Sequence, residues 1–432
     1  WLVNLNQRAI ISVDLNNLAN PVPTNGSAAP SAITNQYLLS GLAGVPSCTN
    51  GVFRPFALTF YEGKGYLGGV CTGENGGTNA NVTAYVLSFD PANVAAGFTL
   101  VNSFSTNYNR EPAYGDNVIN QIGIGWRAWI SSWGAPDDIY GLVSYPQPIV
   151  SDIDFDAAGN MILGMKDRFG DQGGYQNYIA VSGSTTLKTV VAGGDIIHLC
   201  RSGNTWNLEG TGGCTDSDPG IGWKNQTNDG PSGTGEFYYN EYFGAVSPDV
   251  RHFETATGGL VTLKNNNEVV TTIFDPINFG GNSEFNTQGV HWYNTTNGAK
   301  ADAYRVTSVV SSGKGNGLGE PEAICAPAPI EIGNRVWSDS NNNGVQDPGE
   351  PDIPNVTIQL YAANGLTLLS TTTTDGNGEW FFEATGTAGQ TWVNATGLNS
   401  AVQPNTTYII RVGSADWTGG VGVGDLAGLS PT

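Results

Sequence analysis

The sequence predicts an all-β protein, and three observations carry that expectation. Sixty glycines and an aromatic content of 10%, set among frequent Asn, Thr and Ser, describe many short strands joined by tight turns. Ala, Leu, Glu and Lys never gather into a long pattern of helical period, so no extended amphipathic helix is expected. Strand-like runs recur from residue 1 to about residue 326, each closed off by Gly, Asn, Asp or Pro.

In chain order those runs are Arg8–Asp14, Phe56–Phe60 followed by Gly65–Val70, Thr83–Phe89, Ser151–Phe155 followed by Asn160–Gly164, and Val269–Phe274 ahead of Gly289–Tyr293. Two share a plan. Pro55–Gly68 and Ser151–Gly164 both read strand, tight turn, strand, glycine, which resembles the first two strands of a propeller blade. A β-propeller-like domain over residues 1–326, of six or seven blades at about 45 to 50 residues each, fits that plan. A large β-sandwich is the competing architecture. Ala326-Pro-Ala-Pro329 brackets a short extended linker at 327–329. The module that follows, residues 330–432, contains neither Lys nor Cys.

Composition limits the partners. With 38 acidic and 17 basic residues the net charge is −21, which disfavours phosphate polyanions such as nucleic acid and favours cations. No apolar run approaches the roughly 18 residues of a membrane span. Beginning at Trp1, with no positively charged apolar leader, the sequence reads as that of a mature or trimmed product, expected to be secreted. The five cysteines allow two local bridges, Cys48–Cys71 and Cys200–Cys214, and leave Cys325 over. Their spacings fit no common zinc pattern, so an oxidising exterior is expected.

The densest chemical signal is Asp339-Ser-Asn-Asn-Asn-Gly-Val-Gln-Asp-Pro-Gly-Glu350. Oxygen side chains stand at loop positions 1, 3, 5, 9 and 12, as Asp339, Asn341, Asn343, Asp347 and Glu350. Gly344 occupies position 6, where the chain must turn sharply, and Val345 at position 7 offers its backbone carbonyl. A hard cation that takes 6–8 oxygens is served by this spacing, so calcium is the expected cofactor. The flanks, Gly-Asn-Arg-Val-Trp337 before and Ile353–Tyr361 after, alternate like strands, which excludes a helix–loop–helix hand. Only three of the side-chain ligands are carboxylates, and a weak structural ion, with Kd on the order of 10⁻⁴ to 10⁻³ M, is expected.

Residues Ile332–Tyr361 resemble the opening of an SdrD B-like, Cna B-type repeat, and Thr372–Phe382 resembles the second hairpin of that family. The resemblance covers about a quarter of the chain. It implies an immunoglobulin-like calcium-binding β-sandwich over residues 330–432, of the kind found as stalks in bacterial surface adhesins, with Asp339, Asn341, Asn343, Asp347 and Glu350 as ligands. Asp375 and Asn377 form a second candidate metal pair, on an Asp-Gly-Asn-Gly sequence that is equally an ordinary hairpin turn. Some Cna B-type domains carry a Lys–Asn isopeptide bond. With no Lys in residues 330–432 this module cannot form one internally, and Leu429-Ser-Pro-Thr432 is not a sortase motif.

Other chemistry is weaker. Asp152, Asp154, Asp156, Asp167 and Asp171 can be read as a metal or hydrolytic cluster, but turn chemistry explains them more simply. His198, His252 and His291 lack ligand spacing. Trp126, Trp129 and Trp133 can stack on sugars or pack between blades. Hence the expected function is non-enzymatic: an extracellular structural subunit of a surface layer, stalk or filament, adhesin-like, self-associating and in reach of surface glycans. The alternative is a carbohydrate-binding or hydrolytic propeller with the small domain as spacer. The sequence stops soon after the Gly-rich Thr418–Gly424, where the family usually adds a final strand, so an open sandwich edge is expected. One route to assembly is strand addition there by the apolar N-terminus Trp1–Leu5 of a neighbour; simple truncation of a longer protein is the competing account.

Overall fold

The computed structural model describes residues 1–13, 33–108, 110–115, 121–134, 136–215, 230–239, 242–244, 251–277, 287–307, 318–323, 331–383, 402, 406–417 and 426. The chain divides into two compact units, Trp1–Ala323 and Ile324–Thr432. The linker expected at 327–329, Cys325 and the C-terminal Leu429–Thr432 lie outside the described residues.

The first unit opens with β1 (Leu2–Asn4), β2 (Ala9–Val13) and β3 (Ile33–Leu38), then β4 (Phe53–Tyr61), β5 (Lys64–Cys71), β6 (Thr83–Phe89) and β7 (Thr99–Ser105). Short strands follow: β8 (Tyr114–Gly115), β9 (Gln121–Ile122), β10 (Asp137–Ile139) and β11 (Leu142–Ser144). Next come β12 (Pro148–Phe155), β13 (Met161–Asp167), α1 (Arg168–Gly173), β14 (Asn177–Tyr178), β15 (Leu187–Val190), β16 (Asp195–Ser202) and β17 (Thr205–Leu208). The unit ends with β18 (Phe243–Gly244), β19 (Arg251–His252), β20 (Ala256–Leu263), β21 (Glu268–Phe274), β22 (Gln288–Asn294) and β23 (Lys300–Thr307).

Among the described residues these strands form one three-stranded and five four-stranded sheets. The fold class is all-β, as the composition predicts. Three of the sheets, β4-β5-β6-β7, β12-β13-β16-β17 and β20-β21-β22-β23, are antiparallel meanders in chain order. The two sequence segments of shared plan are the opening hairpins of the first two. In all three the first strand carries a bulge, between Pro55 and Leu58, Val150 and Asp152, and Ala256 and Leu260, as edge strands commonly do.

Aromatic rings fill the space between the first two meanders. Tyr61 stacks on Phe155 at a centroid distance of 4.0 Å, and Tyr66 and Trp206 meet Phe155 edge-on at 5.0 and 6.0 Å. Trp206 is anchored by its indole N–H, which donates to the Gly159 carbonyl at 2.9 Å. Disulfides join Cys48 to Cys71, across the start of the first meander, and Cys200 to Cys214, beside β16. The N-terminus is engaged within its own chain. Leu2–Asn4 pairs with Ala9–Ile11, and Trp1 packs against Tyr37, Phe60 and Phe89.

The second unit contains β24 (Glu331–Arg335), β25 (Thr357–Ala362), β26 (Leu368–Thr373), β27 (Glu379–Glu383) and β28 (Tyr408–Val412). They form two sheets, β24-β27 and β26-β25-β28, around a core of Val356, Ile358, Leu360, Phe382, Val402 and Leu426. Strand alternation explains the choice of residues: Ile358 and Leu360 point inward while Thr357 and Gln359 do not.

Several buried groups in the first unit titrate abnormally. Burial pushes the Asp152 carboxyl up to about 8, against two backbone N–H donors, and Asp167 up to about 6. Burial alone takes His198 down to about 4, and mainly burial takes His291 down to about 3. A raised carboxyl contributes stability that is full below its unfolded pKa and fades as pH rises through the folded value; a depressed histidine contributes stability that fades as pH falls below 6.5. Between pH 6.5 and 8 the histidines are neutral in both states, and the Asp152 linkage lowers stability as pH rises. Asp152 alone is expected to contribute a loss of about 2 kcal/mol across that window, seen as a falling denaturation midpoint. Asp152→Asn should flatten the curve, and an unchanged slope in that variant would remove Asp152 as the cause.

Candidate metal centre

The loop at 339–350 is closed at its base by main-chain pairing. Trp337 and Asp352 form an isolated antiparallel bridge, Ser338 N–H donates to the Pro351 carbonyl at 2.8 Å, and Ile353 N–H donates to Val336 at 2.9 Å. Arg335, at the end of β24, ties this stem to the start of β27 by pairing with Asp352 at 3.6 Å and Glu379 at 2.5 Å.

Inside the loop the side chains expected as ligands are held by backbone amides. The Asp339 carboxylate accepts the N–H groups of Asn343 at 3.1 Å and Gly344 at 2.8 Å. Asn341 Oδ1 accepts Asn343 N–H at 3.0 Å, and Asn343 Oδ1 accepts Val345 N–H at 2.7 Å. Glu350 reaches back across the loop, accepting Ser340 N–H at 2.8 Å and Asp347 N–H at 3.1 Å. Both asparagine side chains meet Asp347 Oδ2 at 2.7 Å. Gly344 has φ of +76°, the left-handed conformation that a side chain at this sharp turn would strain.

Asp339, Asn341, Asn343, Asp347 and Glu350 are thus gathered on one exposed loop, with Val345 at its turn. Among the described residues no Lys or Arg pairs with Asp339, Asp347 or Glu350. Three carboxylates and two amides without a counter-charge are a donor set that fits a hard divalent cation. Asp375 and Asn377 are arranged differently. Asp375 Oδ1 accepts Asn377 N–H at 2.8 Å and Glu379 N–H at 2.9 Å, and the Asp375 main chain closes the turn with Gly378 and Glu379. This pair shapes the turn that carries the chain from β26 in one sheet to β27 in the other.

The aspartates of the large unit do not converge. Asp152 and Asp154 accept backbone N–H groups of β20, from Leu260 at 2.8 Å and Thr262 at 2.7 Å. Asp156 caps its own turn through Ala158 and Asn160, Asp167 caps α1 through Phe169 N–H, and Asp171 pairs with Lys166 at 3.2 Å. Sequence reasoning missed a second acidic group. Asp195, Glu236 and Glu254 bring oxygens within 4.8 Å of one another, next to Arg110, whose Nε lies 3.7 Å from Glu254. Arg110 also stacks on Trp126 at 4.0 Å. Burial raises the pKa of Asp195, and Arg110 and the Tyr108 hydroxyl oppose that rise, which describes an internal acidic cluster partly offset by a buried cation. His198 lies near Cys200 and Cys214, but those sulfurs are already bonded to each other.

The class defined by this fold and loop is an all-β protein whose second unit carries an EF-type oxygen loop between strands. Residues 330–407 match the family described as the SdrD B-like domain, and the second unit therefore contains an SdrD B-like domain. Colossin-A of Dictyostelium discoideum is 32% identical over 344 residues, which is 76% of this chain and 3% of that protein. Colossin-C of the same organism is 29% identical over 395 residues, 89% of this chain and 34% of that protein, so the likeness extends across both units. Serine-aspartate repeat-containing protein D of Staphylococcus aureus strain Newman is 35% identical over 86 residues, 20% of this chain and 6% of that protein. The chain thus spans about a third or less of these relatives. They come from Dictyostelium as well as Staphylococcus, so a bacterial setting is not singled out.

Replacing Glu350 by Gln keeps the side-chain length while removing one charge and one acceptor. Calcium titration of the full chain should show affinity reduced at least about tenfold, or about 1.4 kcal/mol. Equal affinity in the variant would place the ion elsewhere.

Proposed function

We propose that the protein is an extracellular structural protein without enzymatic activity, a subunit of a surface layer, stalk or filament in which calcium at 339–350 stiffens the SdrD B-like module. The observation that supports this most directly is the loop itself, closed at its stem and holding three uncompensated carboxylates. Asp339, Asn341, Asn343, Asp347, Glu350 and the Val345 carbonyl would hold the ion, which supplies the missing positive charge. Arg335 then links the fixed loop to β27 through Asp352 and Glu379. The likeness to colossins and to a serine-aspartate repeat protein supports a cell-surface, adhesin-like setting, and the two disulfides fit an oxidising compartment. Among the described residues no helix is long and apolar enough to cross a membrane.

Self-association would use the sandwich edge. Among the described residues β28 pairs only with β25, and its outer edge can accept a strand from a neighbouring copy. The donor is a segment other than Trp1–Leu5, because Leu2–Asn4 is already paired with β2.

Chelation tests the calcium part. With calcium at about 100 times Kd the ion adds about 2.7 kcal/mol to the folded module, so EDTA should lower its unfolding midpoint and open residues 330–432 to protease. Unchanged midpoint and cleavage would show that the ion is not structural. Sedimentation in calcium-containing buffer tests assembly: species larger than a monomer are expected, and a monodisperse monomer at all concentrations would end that part of the reading.

A further inference from the structure

The large unit carries a cleft used neither by the metal loop nor by the sheet contacts described above. It lies between residues 130–133 and α1, near β14, and encloses about 220 Å³. Pockets for drug-sized ligands occupy about 300–1,000 Å³, so this one is the size of a single sugar ring. Its walls are aromatic. Trp133 is half-buried and backed by Phe169 at 5.4 Å, and Tyr178 is 64% exposed at the rim. The other tryptophans of that stretch, Trp126 and Trp129, are buried in the core, so Trp133 is the one of the three that lines this cleft.

Two polar side chains also line the cleft. Gln147 is fully buried, and its Oε1 accepts Arg168 Nη1 at 2.5 Å and Ile130 N–H at 3.4 Å. Those two donors fix the orientation of the carboxamide. They leave Nε2, a buried donor, without a partner in the protein, a state that costs about 1–3 kcal/mol when nothing fills it. Arg168 is held over Trp129 at 4.7 Å, and among the described residues it forms no ion pair. Glu74 and Asp167 act on it through space, without direct contact. In a chain of net charge −21, a guanidinium with no carboxylate in contact, beside an unfilled amide donor and two aromatic walls, suits a ligand that accepts hydrogen bonds.

We propose that this cleft binds a saccharide unit bearing a carboxylate. Arg168 and Gln147 Nε2 take the carboxylate oxygens, in the planar geometry that a guanidinium offers and an ammonium does not. Trp133 and Tyr178 cover the apolar face of the ring. A neutral sugar would use the aromatic walls but leave the guanidinium without a contacting carboxylate, and a bare carboxylate would use the guanidinium but not the walls.

Calorimetric titration of the full chain with glucuronate, glucose and acetate tests this. Glucuronate should bind, with glucose and acetate each at least about tenfold weaker. Trp133→Ala and Arg168→Lys should each weaken glucuronate at least about tenfold. Tyr178→Ala, at an exposed position that does not threaten folding, should weaken it measurably at an unchanged unfolding midpoint. Absence of glucuronate binding, glucose or acetate binding as tightly as glucuronate, or full binding by Tyr178→Ala together with Trp133→Ala would each overturn the proposal.

Discussion

Two carboxylates on one strand hold the backbone of a strand in the next sheet: Asp152 accepts the Leu260 N–H at 2.8 Å and Asp154 the Thr262 N–H at 2.7 Å. The need for them follows from the meander plan. β20 is the first strand of its sheet, so the amides on its outer side have no ladder partner, yet much of the strand is buried. Unpaired buried amides are costly, and side-chain acceptors are the remedy. The same contact brings backbones close. A Cβ on Gly164 would lie 2.2 Å from the Gly258 carbonyl oxygen, so glycine is required where β13 meets β20. Ser151 Oγ fills the space left, within 3.0 Å of the Gly164 carbonyl and 2.7 Å of the Gly258 carbonyl.

A related economy operates in the loop at 339–350, where carboxylates and amide oxygens satisfy backbone N–H groups that no strand can reach. There, however, the acceptors sit in water and exceed the positive charge available to them. In the large unit burial makes a carboxyl favour its proton; in the loop, exposure leaves three carboxylates side by side and suits a cation. The environment therefore separates two sets of acidic side chains that look alike in sequence, giving one a packing role and the other a candidate metal role.

Much of this was legible beforehand. The strand-turn-strand-glycine plan marks the hairpins β4-β5 and β12-β13, because turn chemistry and period-two alternation are local properties. The EF-type spacing of Asp339 to Glu350 is local too, and the loop side chains do gather around their own backbone. Turn chemistry does not account for Asp152 and Asp154: their partners stand 108 residues away, beyond the reach of any spacing rule. The tryptophans show the same limit. Trp126, Trp129 and Trp133 lie within one short segment, but two are buried in the core and the third lines a cleft. Nothing in their order distinguishes them.

By itself the sequence determined the all-β class, the position of the oxygen loop and its SdrD B-like context, since each rests on residues that interact within a few positions of one another. Only the tertiary structure decided which acidic groups are buried, which tryptophan faces a cleft, and that Gln147 and Arg168 share it. Those outcomes depend on sheets that pack across long stretches of chain, where desolvation and the identity of distant neighbours, rather than local pattern, fix what a side chain can do.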